Sequence, residues 1–334
     1  MPSLRKTAWL VALAVGTVAL PARPARAADA DRFLHDDTDA VISFNVRQFL
    51  DSPLVKKFGL DKMLAGDASA QKMLKDLGMD PLKDVRRIVS AMGKGDDNNV
   101  IIIEGDFDPA KLRAKAAEMA REKKDNVKVH ETPGGNIYEL SKIDDIVKLP
   151  DQAEAAGVSL KNKAAFAVIP DKSHILVTGS RAAAAGLLDR ATGKTQGALK
   201  NRELTALMGK MDPTQTIAMV MTGAATQTEK IRNITGGVTF TDNVKLDMAM
   251  ATPDAGSARE IEEAIKEQMD TIKALAGAVT QQNQNLAPLM DILTGIKHGT
   301  QDKDVTVKTE IRGDVLEKLV QGLIKAAQQQ NQQP

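Results

Sequence analysis

The chain contains no cysteine, so a disulfide framework, a thiol nucleophile and a thiolate metal site are all closed to it. A lipid anchor attached to an N-terminal cysteine thiol is excluded for the same reason. Aromatic residues make up 3% of the sequence, and the single tryptophan, Trp9, lies close to the N-terminus. Proteins that grip carbohydrate or single-stranded nucleic acid draw much of their affinity from stacking on exposed rings, and few rings are present here. Nor is there an excess of one charge: 45 Lys and Arg stand against 44 Asp and Glu. Without a basic stripe there is no electrostatic footprint for nucleic acid or anionic lipid, so no nucleic-acid partner is expected. After residue 20 no long apolar run occurs, and no stable membrane anchor is expected in the remainder.

What is present begins with a leader. Arg5 and Lys6 form a basic start, Thr7 to Leu20 is apolar, Pro21 breaks the helix, and Ala25-Arg26-Ala27 places small residues where a signal peptidase requires them. Residues 1–27 therefore read as a secretory signal peptide cut after Ala27, because the apolar run falls short of the roughly 18 to 20 residues that span a bilayer. The expectation is a soluble chain exported to the periplasm or the extracellular space. Four basic residues (Arg5, Lys6, Arg23 and Arg26) leave with the leader, which makes the remainder slightly acidic. That remainder is long enough to bury a core without disulfides.

Residues 28–39 (ADADRFLHDDTD) read as an acidic lead-in. In AVISFNV, starting at Ala40, Ile42, Phe44 and Val46 alternate with polar residues as in a half-buried strand. Ser52-Pro53 suits a helix start, and Met73, Leu74 and Leu77 suit a second helix ending at Gly78. Two strands, RRIVSAMG and VIIIEGDF, flank the polar turn KGDDNN, and Asp108-Pro109 opens a helix carrying Leu112, Ala116 and Met119 on one stripe. Hairpins follow at VKVHET/NIYELS and AFAVIP/HILVTGS, then a helix from Arg181 to Arg190; residues 142 to 163 read as charged and irregular. From residue 201 the order starts again: strand TIAMVMTG, helical stretch ATQTEKIRN and hairpin NITGGVTF/VKLDMAMA. A long helix follows Pro253, with Ile261, Ile265, Ile272, Leu275 and Val279 on one stripe, and then come VTVKTEIR and a last helix.

This order predicts an α+β protein of two related units, 40–195 and 196–327, each an antiparallel sheet with helices packed on one face, through internal duplication. The Gln-rich end, 328–334, reads as a disordered tail.

Residues 40–113 carry FNVRQFLDSPL, then GMDPLKDVRRIVSA, then a strand ending GDFDPAKLRA. The combination resembles a family of uncharacterised exported bacterial proteins that repeat a strand, an SPL helix, DPLKDV and a G-x-F-D step. The resemblance covers about a quarter of the chain and implies a location and a fold type. It brings no reaction and no catalytic residue.

Candidates for chemistry are sparse. Glu104, Asp106 and Asp108 alternate at a strand end and could hold Ca²⁺ or act as an acid/base pair, although Asp108 equally suits an N-cap and EF-hand spacing is missing. His35, Asp36, Asp37 and Asp39 could gather a metal near the mature start, and Asp96-Asp97-Asn98-Asn99 suits a turn. His130, His174 and His298 are far apart in sequence, so zinc-hydrolase spacing is absent. Gly193-Lys194-Thr195 lacks the earlier glycine of a phosphate loop, whereas Gly179-Ser180-Arg181 opens a helix and could hold an anion or simply cap it. There is no G-x-S-x-G. Met219/Met221 and Met248/Met250 place methionine pairs on strand faces, with Met208 and Met211 nearby. Thioethers fill cores, ligate Cu(I) or form an adaptable apolar surface.

The sequence thus favours a non-catalytic exported binding, scaffold or interaction module without a cofactor, whose partner is a protein or an apolar ligand. Two alternatives stand beside it: a carrier of an apolar ligand or lipid using the Met-rich second half, and a metal-assisted hydrolase around Glu104, Asp106 and Asp108.

Overall fold

The computed structural model describes residues 31–59, 79–95, 98–122, 124–141, 164–195, 199–226 and 228–330. The leader with its cut after Ala27, the helix expected at Met73 to Leu77, Asp96 and Asp97, the segment 142–163 and the end of the Gln-rich tail lie outside the described residues.

The chain is α+β. Its strands are β1 (Thr38–Asn45), β2 (Val85–Gly93), β3 (Val100–Gly105), β4 (Val127–Thr132), β5 (Gly135–Leu140), β6 (Ala165–Val168), β7 (His174–Thr178), β8 (Ile217–Thr222), β9 (Asn233–Phe240), β10 (Asn243–Ala251), β11 (Lys297–Gln301) and β12 (Asp304–Arg312). All belong to a single sheet ordered β11-β12-β10-β9-β8-β1-β2-β3-β7-β6-β5-β4, and every neighbouring pair is antiparallel. The seam is β1 against β8, where Val41 faces Val220. Outward from it, one side runs β2, β3, β7, β6 and the other β9, β10, β12, β11. The two sides share this strand arrangement, though not their helices, and β5 and β4 extend the first.

The helices are α1 (Val46–Asp51), α2 (Pro53–Phe58), α3 (Pro81–Asp84), α4 (Pro109–Glu122), α5 (Arg181–Ala191), α6 (Arg202–Met208), α7 (Ala255–Gln282), α8 (Pro288–Gly295) and α9 (Gly313–Gln330). Their starts follow from capping chemistry: Asn45, Ser52, Asp80, Ser180, Asn201 and Asp254 each offer a side-chain oxygen to an orphan amide of the first turn. Among the described residues no helix is long and apolar enough to cross a membrane.

The expectation of helices on one face holds for only part of the sheet. In β12 the exposed Asp304, Lys308, Glu310 and Arg312 alternate with the more buried Val305, Val307, Thr309 and Ile311. Across that polar face Lys308 pairs with Asp247 at 3.1 Å and Lys245 with Glu310 at 3.6 Å, while α7, α8 and α9 contact β12. In β3 the alternation is limited to the start, where Ile101 is 43% exposed between the buried Val100 and Ile102. Ile102 packs with Val41, Leu176, Leu187 and Leu204 under α5 and α6, whereas the adjacent Ile103, pointing the other way, packs with Val46, Leu50 and Leu112 of α1 and α4. This half carries helices on both faces at Ile102 and Ile103, while Ile101 stays exposed.

A second correction concerns residues 31–39. Phe33 and Leu34 have no exposed surface and belong to the largest core cluster, so this segment is part of the packed fold, and β1 begins at Thr38.

Candidate functional site

At one end of the β1/β8 seam the sheet is interrupted. Thr38 pairs with Gly93 and Ala40 with Met92, which leaves Asp39 as the extra residue of a β-bulge. A bulge re-aims its side chain out of the regular pleat. The Asp39 side chain is directed to α6 and β8: Oδ1 accepts from Asn201 Nδ2 at 2.9 Å and from the Thr222 hydroxyl at 3.3 Å. The orientation of Asn201 is fixed by its own Oδ1, which accepts the Leu204 amide at 3.0 Å and leaves only its N–H groups for Asp39. Asp39 is 8% exposed, and among the described residues no hydrogen bond reaches its Oδ2 and no salt bridge reaches its carboxylate.

Beside it opens a cleft of about 530 Å³ lined by Asp39, Asn201, Glu203, Thr222, Glu229 and Arg232, among others. Its outer wall is the segment where the sequence predicts a helix, ATQTEKIRN. The structure has instead one 3-10 turn, Gly223–Ala225, and no helix in the described residues after it up to β9. A Cβ on Gly223 would lie 2.7 Å from the Ile231 carbonyl oxygen and 2.9 Å from that of Arg232, so glycine lets the two ends of the loop touch. The Thr226 hydroxyl reaches the carbonyls of Gly223 at 2.8 Å and Thr228 at 3.0 Å, side-chain competition of the kind that keeps threonine out of helix interiors.

The acidic strand-end candidates are not brought together. Glu104 forms a forked pair with Arg87, Asp106 pairs with Arg86 at 2.9 Å, and Asp108 accepts the amides of Ala110 and Lys111, both at 3.0 Å, as the cap of α4. The His35 group is likewise dispersed. His35 pairs with Asp37, Asp36 with Lys200, and Asp37 also accepts from Asn98; the Lys200 bond holds the Asp36 carboxyl below its ordinary range. Among the described residues no group of three or more His, Asp or Glu could hold a metal ion.

The remaining histidines each meet one carboxylate. His130 bonds Glu139 at 2.7 Å, and that bond holds Glu139 below the usual carboxylate range. His174 bonds Asp171 at 2.9 Å, and His298 bonds Glu262 at 2.9 Å, fastening α7 to β11. Ser180 caps α5 through the Ala183 amide at 3.2 Å, and Gly193 lies just beyond that helix's end, at φ +74°.

The methionine pairs do converge. Met219 faces Gly236, which faces Met248; Met221 faces Ile234, which faces Met250. All four methionines thus share one sheet face across β8 and β10 and are half-buried. Gly236, at φ +152°, has no room for a side chain, since a Cβ would lie 2.3 Å from the Asp247 carbonyl oxygen.

A different apolar surface lies on α7. Met269 and Ala276 bury against Leu293 of α8. On the next strip round the helix, Ile272, Leu275 and Val279 are 42%, 64% and 46% exposed. From Ala274 to Met290 the chain carries no charged residue. Of the stripe legible in sequence, Ile265 packs against this cluster, while Ile272, Leu275 and Val279 are open to solvent.

No protein-family model matches the chain and no curated protein matches it. Among solved structures it is similar to TP0453: crystal form III at 9% identity over 86% of this chain and 96% of that one, with a TM-score of 0.47, and crystal form I at 9% identity over 86% and 95%, with a TM-score of 0.46. At this identity and score the similarity is one of chain path alone.

Proposed function

We propose that the chain is an exported, non-catalytic interaction module that engages a protein partner through the outer stripe of α7. The observation that supports this reading most directly is the exposure of Ile272, Leu275 and Val279 along one strip of α7, the last two within the uncharged stretch from Ala274 to Met290. Leaving three large apolar side chains in water forgoes roughly 1.5 to 3 kcal/mol for each one that could be buried, and clustered exposure of this sort marks contact surfaces. Export rests on the leader of residues 1–27. The reading without catalysis rests on the carboxylates and histidines, whose partners are structural ones.

The test uses the full chain in its secreting host. A photo-reactive residue at Leu275 should yield one discrete protein adduct, which Val279→Asp abolishes, while the same residue at Lys245 on the polar sheet face yields none. Mass analysis of the secreted product should find Ala28 at its N-terminus. Adducts independent of position, or a product that begins at Met1, would overturn the proposal.

A second reading, a carrier of an apolar ligand, draws support from the shared face of Met219, Met221, Met248 and Met250. It expects a stoichiometric lipid in organic extracts of the purified chain, lost on replacing the four methionines by threonine.

A further inference from the structure

We propose that the cleft at Asp39 is a binding site for a small organic dication, one that presents an ammonium or guanidinium group to the Asp39 carboxylate. A carboxylate held at 8% exposure is costly unless a cation or a full set of donors compensates it. Asp39 has neither. Its donors among the described residues are a neutral amide and a neutral hydroxyl; both reach Oδ1 alone of the two carboxylate oxygens, and the hydroxyl is shared with the Asp39 carbonyl oxygen at 3.2 Å. Oδ2 is left for whatever enters the cleft that Asp39 lines.

The wall repeats the same sign. Glu203 and Glu229 line the cleft with Asp39 against the one guanidinium of Arg232, and the neighbouring Lys230 is engaged by Glu260. The field inside is therefore negative, which repels anions and attracts cations. The carboxylates do not form a cluster able to chelate a metal ion, so the compensating charge fits better on a molecule with length, able to reach the deep carboxylate with one end and the rim with the other. A volume of about 530 Å³ accommodates a molecule the size of agmatine or putrescine. A charge-assisted N–H bond to Oδ2 would anchor one end, and Glu203 and Glu229, both exposed, would take the second charge.

The geometry is built for such an approach. The bulge at Asp39 turns the side chain out of the pleat, Asn201 and Thr222 fix its rotamer, and Gly223 holds the facing loop closed at its base. None of this depends on the α7 stripe, and the two proposals stand or fall separately.

The experiment titrates the purified chain at low ionic strength with agmatine, putrescine, butylamine and Mg²⁺, read by calorimetry and by backbone amide shifts. Agmatine and putrescine should bind saturably at one per chain, more tightly than butylamine. The shifts should be confined to residues around 39, 201 and 222–232. Asp39→Asn should weaken binding about tenfold or more, as loss of a charge-assisted bond implies. Should that variant fail to fold, Glu203→Gln with Glu229→Gln decides, since both positions are exposed: it should erase the preference for dications over butylamine. No saturable binding, shifts spread over the whole surface, equal competition by Mg²⁺ at matched ionic strength, or an affinity that both variants leave unchanged would each overturn the proposal.

Discussion

Arg87 and Glu104 face each other across β2 and β3 and close a forked pair, Nε to Oε2 at 2.9 Å and Nη2 to Oε1 at 2.6 Å. Their side chains are only 21% and 13% exposed, so each charge depends on the other for compensation. Glu104→Ala should cost about 2 to 3 kcal/mol in urea unfolding, because it strands a half-buried guanidinium. Arg87→Met with Glu104→Leu should recover most of that loss. If Glu104 were a metal ligand instead, Glu104→Ala would also change Ca²⁺ binding in calorimetry; no change is expected.

The loop before β7 carries an acid-sensitive contact. Burial pushes the Asp171 carboxyl up, but the Ser173 amide, His174 and Arg32 outweigh it and leave the group below the ordinary carboxylate range. A carboxyl depressed in the folded state contributes stability above its unfolded value, and that contribution is lost as pH falls through the folded one. Asp171→Asn should therefore lower the melting temperature near neutrality, with a gap that closes as pH drops below about 4. A gap independent of pH would rule this out.

Asp31 should behave in the opposite sense. Burial, the largest cause, raises its carboxyl, Arg87 opposes this and Glu104 adds to it. Its Oδ1 is buried without a hydrogen-bond partner among the described residues. A raised folded value means that the ionised form is penalised, so stability declines as pH rises from the unfolded value through the folded one. Asp31→Asn should raise the melting temperature at neutral pH and leave it unchanged in strong acid. A uniform loss at every pH would contradict the assignment.

Two leucines on neighbouring helices separate packing from contact. Leu293 is buried against Met269 and Ala276, and Leu293→Ala should cost about 2 to 4 kcal/mol. Leu275 is 64% exposed, so Leu275→Asp should stay within about 0.5 kcal/mol in the isolated chain. A large loss at 275 would make that residue structural and remove it from the proposed partner surface.

Much of the secondary structure could be read from residue order, because alternation, caps and turns are local. NITGGVTF matches β9, and the α4 and α7 helices begin within two residues of Asp108-Pro109 and Pro253. The α+β class followed from the same signals. Other elements left a weaker trace: β11, KHGTQ, has no apolar alternation, and α6 is a helix of 7 residues. ATQTEKIRN failed as a helix because the backbone contact of Gly223 with Ile231 and Arg232 lies outside any local rule.

What the sequence determined by itself is the inventory: no thiols, few rings, balanced charge, an apolar run near the N-terminus and strands whose patterns mark which faces can be wet. The alternation of VTVKTEIR already implied one polar face. Only the tertiary structure decided that the two sides join through β1 and β8 into one sheet, that Phe33 and Leu34 enter the core, and that Asp39 is buried beside a cleft. Those outcomes depend on contacts between residues more than 150 positions apart, such as Asp39 with Asn201 and Thr222. Periodicity reports which side of its own element a residue occupies, and it carries no term for the element that arrives from elsewhere in the chain.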